Sequence, residues 1–238
     1  MTASKQRQEE QPAFVLHSYP YRETSLVLET FSRHHGRVAM VARGARRPRS
    51  ALRGLLMGFQ PLLLSWFGKS ELRTLHSAEW QGGQPQLQGT ALLCGFYLNE
   101  LLLNLMIRDD PHEQLFDYYQ HTLLRLASEA DHAATLRSFE KHMLQELGYA
   151  LLLEHEAGSS DPIDAAAHYR YVVEHGASRD ADEGLPILGK TLLDMAADDY
   201  RDPLSAQQSK QLMRMLLNHH LAGKTLHTRE LIKDLQKL

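Results

Sequence analysis

The chain has 238 residues, 43% of them hydrophobic and 23% charged, with a formal net charge of −3. That make-up suits one large globular domain or two small ones and excludes a disordered or collagen-like chain. No apolar run approaches the roughly 18 residues that cross a bilayer, and a single cysteine, Cys94, excludes an internal disulfide and a cysteine-rich zinc site.

In chain order, the first 80 residues read as strands. Ala13–His17 is a short apolar run, Ser25–Phe31 is rich in β-formers, and His35-Gly36 marks a turn. Arg37–Arg43 alternates, with Val38, Met40 and Ala42 on one face. Gly44–Ser50 is a basic loop punctuated by Gly and Pro, and Gln60–Phe67 and Glu71–Ala78 are two further strands. Five short strands within about 70 residues predict a small β-barrel. Trp66 and Phe67 are adjacent in a strand, so at most one of them enters its core.

After Gly82-Gly83 the spacing turns helical. Leu92 to Leu105, Leu115 to Leu126 and Leu136 to Leu147 give three amphipathic segments, with Asp109-Asp110-Pro111 between the first two and Gly148 ending the third. His168–Val173 reads as a short strand before a turn at Glu174-His-Gly176. Leu192–Ala197 and Leu204–Leu221 are helical, and Thr228 caps a final helix with Glu230 and Asp234 near its turns. The expected class is mixed α+β: a five-stranded β-barrel over residues 1–80, then an α-helical domain over 81–238 with a basic tail.

Charge is unevenly spread along this order. Residues 1–80 carry a net +6, residues 81–200 a net −13, and residues 201–238 a net +4. Between Thr30 and Ser70 there is no acid, but there are Arg33, Arg37, Arg43, Arg46, Arg47, Arg49, Arg53 and Lys69. Arginine forks onto phosphate oxygens and stacks on bases, and a one-signed patch repels itself unless a partner of opposite charge covers it. A small barrel with a basic rim is a recurrent binder of single-stranded nucleic acid. Phe59, Trp66, Phe67 and Tyr21 are its candidate stacking aromatics, each competing with a place in the core.

The residues also resemble a known family. Phe14-Val-Leu-His-Ser18, His35-Gly-Arg-Val38, Val41-Ala-Arg-Gly-Ala-Arg-Arg47 and Pro61-Leu-Leu-Leu-Ser65 look like the barrel domain of the RecO family of bacterial DNA repair proteins. The likeness continues through Tyr97-Leu-Asn-Glu-Leu-Leu102, Leu136-Arg-Ser-Phe-Glu140, Glu146-Leu-Gly-Tyr149, Leu212–His219 and Gly223-Lys224…Thr228-Arg-Glu-Leu231, so it covers nearly the whole chain. The resemblance implies an OB-fold barrel, binding of single- and double-stranded DNA, and annealing of complementary strands. It also implies action with RecR in loading RecA onto DNA coated by single-strand binding protein, in the cytoplasm at the nucleoid, without catalysis. Some members carry a four-cysteine zinc motif in the helical domain; here Ala150-Leu-Leu-Leu-Glu-His-Glu156 has no cysteine, so neither zinc nor any other cofactor is expected. Ala222 stands where a second glycine is expected.

The expected DNA surface is therefore Arg33, Arg37, Arg43, Arg46, Arg47, Arg49 and Arg53, extended by Lys224 and Arg229. The coating protein's acidic, apolar-ended tail calls for a cation beside an apolar groove. Arg137 and Lys141, four apart on one helix beside Phe139, Met143 and Leu144, are the candidates in the acidic body. Two rival readings are a nucleotide-binding enzyme and a passive interaction scaffold. The first rests on Gly184-Leu-Pro-Ile-Leu-Gly-Lys-Thr191, which fits the phosphate-loop pattern. It is preceded by a polar, acidic run and not by a strand, and Gly189 and Lys190 are expected to open a helix instead.

Overall fold

A computed structural model describes residues 7–128, 131–149 and 151–230. The chain forms two compact units, Met1–Glu129 with Leu226–Leu238, and Ala130–Thr225.

The first unit holds strands β1 (Arg7–Tyr21), β2 (Ser25–Ser32), β3 (Gly36–Ala42), β4 (Leu62–Phe67) and β5 (Leu72–Trp80). They close a barrel in the order β1-β2-β3-β5-β4, with β3 and β5 parallel and every other neighbouring pair antiparallel. This is the OB-fold. A four-residue helix, α1 (Leu52–Leu55), lies between β3 and β4. Alternation fills the barrel: Val38, Met40 and Ala42 meet Val15, Leu28, Leu62, Leu64 and Trp66 in one core. Trp66 is buried there and Phe67 is not.

β1 runs to 15 residues, well past the run expected at Ala13–His17, and it bulges between Gln8 and Gln11 and again between Val15 and His17. Its apolar stretch is continuous because both of its faces are covered. Val15 points into the barrel, while Phe14 meets the rings of Phe116 and Tyr119 on α3 (Glu113–Ser128), 5.4 and 5.2 Å away. Helix α2 (Gly89–Leu105) is apolar on almost every side for the same reason. Its buried Asn99 is satisfied on both ends, donating to the Leu16 carbonyl at 2.9 Å and accepting from the Tyr119 hydroxyl at 2.5 Å.

Residues 226–230 also belong to this unit. Residues 227–230 are helical, and the Glu100 carboxylate on α2 accepts from the N–H groups of His227 and Thr228 at 2.7 and 3.0 Å and from the Thr228 hydroxyl at 2.5 Å. Thr228, expected to cap this helix, lies inside it, and the capping side chain is Glu100, far away in sequence. The turn expected at Asp234 lies outside the described residues.

The second unit contains α4 (His132–Glu146), a sheet of β6 (His168–Val172), β7 (Gly176–Ser178) and β8 (Leu185–Leu188) in the order β7-β6-β8, then α5 (Gly189–Ala196) and α6 (Pro203–His220). Asp131 caps α4 through the Ala134 N–H, and Asp202 caps α6 through the Ser205 N–H with Pro203 in the first turn. Among the described residues no helix is long and apolar enough to cross a membrane.

Candidate nucleic-acid interface

Three pieces of the barrel converge on one cleft: the β1–β2 turn, the end of β3 and the start of β5. The cleft has a volume of about 510 Å³ and is lined by Arg22, Arg43, Arg47 and Arg73 with the hydroxyl residues Thr24, Ser25 and Thr74. No acidic side chain lines it, although the Arg73 guanidinium is paired from outside the lining with Asp109 at 2.7 Å. Guanidinium groups gathered this way around a concavity focus a positive potential on it.

The neighbouring loop is shaped by its own backbone. Arg46 donates its N–H to the Thr24 carbonyl at 2.8 Å, which pins the loop to the β1–β2 turn. Successive turns follow, with Arg47 N–H to Gly44, Ser50 N–H to Arg47 and Arg53 N–H to Ser50. As a result Arg43, Arg46, Arg47, Arg49 and Arg53 are all exposed, and none of them has an acidic partner within 4 Å among the described residues. Of the nine cations expected on a DNA surface, these five share the basic rim of the barrel.

Arg33 and Arg37 sit differently. The Arg33 guanidinium forks onto Asp117 at 2.9 and 2.8 Å and reaches Glu113 at 2.6 Å, and these bonds, led by that to Asp117, hold its pKa above the ordinary value. Arg37 turns toward α2, where Nη1 donates to the Leu103 carbonyl, and burial lowers its pKa. Lys224 is exposed in the second unit. Arg229 lies over the Tyr97 ring and donates to its hydroxyl at 3.1 Å. Sequence reading missed Arg22 and Arg73. They lie outside the acid-free stretch, and only barrel closure brings them beside Arg43 and Arg47.

The pair expected at an apolar groove's edge does not present its charge. Lys141 is 3% exposed, and its ammonium is held by the carbonyls of Met195 and Ala196 and by Asp198, 2.8 Å away. Arg137 is mostly buried against Glu140, one turn along the same helix. The i, i+4 spacing was read correctly, but this face of α4 is an internal one.

The phosphate-loop match has no loop. Its interior, Leu185–Leu188, is strand β8, antiparallel to β6. Gly189 opens α5 and is glycine because a Cβ there would lie 1.9 Å from the Asp164 carbonyl oxygen. Lys190 pairs with Asp194 one turn on. Among the described residues no three His, Cys, Asp or Glu side chains converge as a metal site, and burial pushes the Cys94 thiol up.

Two family models match successive parts of the chain. Residues 6–83 match the N-terminal domain of recombination protein O, and residues 86–230 match its C-terminal domain. The chain belongs to the RecO family. It is 58% identical to the DNA repair protein RecO of Nitrosospira multiformis, with both chains covered over their full length. It is 54% identical to that of Aromatoleum aromaticum over 99% of this chain and 100% of the relative, and 55% identical to that of Dechloromonas aromatica over 96% of each. Membership in the RecO family makes this a protein of recombinational DNA repair, and the cationic cleft lies within the family's N-terminal domain.

Proposed function

We propose that this RecO-family protein binds single- and double-stranded DNA on the basic rim of its barrel and anneals complementary strands. Residues 1–80 act as the DNA-binding domain and residues 81–238 as the helical domain. The observation that carries the reading is the cleft lined by Arg22, Arg43 and Arg47, with Arg73 at its side paired to Asp109, beside an exposed loop bearing Arg46, Arg49 and Arg53.

Annealing brings two polyanions together, and a cationic surface screens their repulsion. Contacts made mainly to phosphate leave sequence choice to base pairing. Such contacts release counterions, so six of them lose about a thousandfold in affinity between 50 and 200 mM salt. Cooperation with RecR and loading of RecA onto DNA coated by single-strand binding protein rest on family membership. Arg137 and Lys141 are left out of this reading because both cations already have partners.

The test is annealing of two complementary oligonucleotides without ATP or added metal, at 50 and 200 mM salt. The native protein accelerates annealing at low salt, and the Arg43→Ala/Arg47→Ala/Arg49→Ala variant does so weakly. Folded protein that gives no acceleration at low salt would remove annealing as the activity. Lys190→Ala anneals like the native chain; a loss there would reopen the nucleotide-binding reading.

A further inference from the structure

A second cavity of the first unit, about 560 Å³, lies between β1, β2, β3, α2 and residues 227–228. Its floor holds a charged pair with unused hydrogen-bonding capacity. Glu29 is 7% exposed; Oε1 accepts from Arg108, while Oε2 is buried with no donor. Arg37 Nε is buried with no acceptor and stands 3.8 Å from that oxygen, within reach of its charge but outside hydrogen-bond distance. Buried polar groups are almost always paired, so an acceptor and a donor left open side by side need an explanation.

The walls say what fits. Leu93 and Phe96 of α2 give an apolar side, and Phe96 is 46% exposed. Opposite, His17 and the 48% exposed Tyr19 lie with ring centroids 4.3 Å apart. Flat rings at the mouth and an acceptor–donor pair at the floor match a planar heterocycle that stacks and presents a donor next to an acceptor. Every nucleobase has that pair on its Watson–Crick edge. Position supports the same ligand. Tyr19 lines this cavity and Tyr21 lines the arginine cleft, two residues apart on one face of β1, a separation of about 7 Å.

We infer that this cavity receives one unpaired nucleobase of a strand whose phosphates lie in the arginine cleft, and that Glu29 and Arg37, whose open atoms are closed off in this structure, turn toward it to read its Watson–Crick edge. This rests on the proposed DNA-binding surface. A paired base has already used that edge, so the cavity distinguishes single strands from duplex and releases its base when pairing occurs.

The test compares the native protein with Leu93→Trp, which fills the cavity from a partly buried position, and with Glu29→Gln. The probes are a single-stranded oligonucleotide carrying one 2-aminopurine, its duplex, and a base-free deoxyribose-phosphate oligomer. In the native protein the 2-aminopurine emission changes on binding in the single strand and not in the duplex. Leu93→Trp abolishes that change, weakens single-strand binding about tenfold, and leaves duplex affinity within twofold. Single-strand affinity within twofold of native in both variants overturns the inference. If Leu93→Trp melts early, the native protein decides alone: a base-free oligomer that binds as tightly as the single strand overturns it. Saturable binding of free dAMP that Leu93→Trp abolishes, with the single strand unaffected, also overturns it. Native protein that binds neither strand at low salt removes the DNA-binding reading as well, whereas intact binding without base sensitivity removes only the cavity's role.

Discussion

The ammonium of Lys141 donates to the main-chain carbonyl of Met195 at 2.8 Å, across the C-terminal end of α5. The last carbonyls of a helix have no partner within it and carry the negative end of its dipole, so a buried cation there meets two needs together. Lys141→Met leaves the Met195 and Ala196 carbonyls and Asp198 without it. The expected cost is about 3–5 kcal/mol, the usual penalty for breaking a buried charge pair from one side, read from urea denaturation.

Asp198 gives that cluster a pH dependence. Burial favours the neutral acid, but hydrogen bonds from His142, Lys141 and Ser138 outweigh it and hold the carboxyl well below the usual carboxylate range. A depressed carboxyl contributes stability above its unfolded pKa of about 4 and loses it as pH falls toward the folded value. Native protein therefore loses stability as pH drops from about 5 to 3, and Asp198→Asn shows a shallower loss over that window. Equal slopes would remove Asp198 from the acid response.

Salt titrations separate the arginines. Arg47 lines the open cleft and Arg33 is committed to Asp117 and Glu113. Arg47→Ala lowers the slope of log affinity against log salt by about one phosphate contact, and Arg33→Ala leaves it unchanged. A fall in slope with Arg33→Ala would show that DNA displaces its carboxylates.

The turn between β2 and β3 has no room for a side chain. Gly36 has a φ of +63°, and a Cβ there would lie 1.9 Å from the Asp110 carbonyl oxygen. Backbone cannot swing aside as a flexible side chain does. Gly36→Ala is expected to cost about 2–3 kcal/mol through clash and strain together, measured as a lowered melting temperature.

The barrel was legible because a strand with one face in a core alternates, as Val38, Met40 and Ala42 do. The helices were legible from their 3.6-residue spacing, as at Leu204–Leu221, whereas the cap that Asp202 places before Pro203 came only from the structure. β7 and β8 were not, since Gly-Ala-Ser is too short to show a period and Pro186 argues against a strand. α1 has four residues and no buried one, so it leaves no pattern. In the site, exposure of Arg43 to Arg53 follows from a Gly- and Pro-rich loop. The withdrawal of Arg33 depends on acids about 80 residues away, and the recruitment of Arg22 and Arg73 depends on barrel closure. Neither kind of distance has a local signature.

The cap that Glu100 places on Thr228 spans 128 positions of sequence, with the whole of the second unit in between. Contacts of such separation carry a large loop-closure entropy and form late. The barrel and α2 precede residues 226–230 in synthesis by more than a hundred residues, so this wall of the cavity is added to a body already standing. Refolding should therefore show the barrel's signal recovering first and amide protection at residues 227 and 228 arriving in a slower phase.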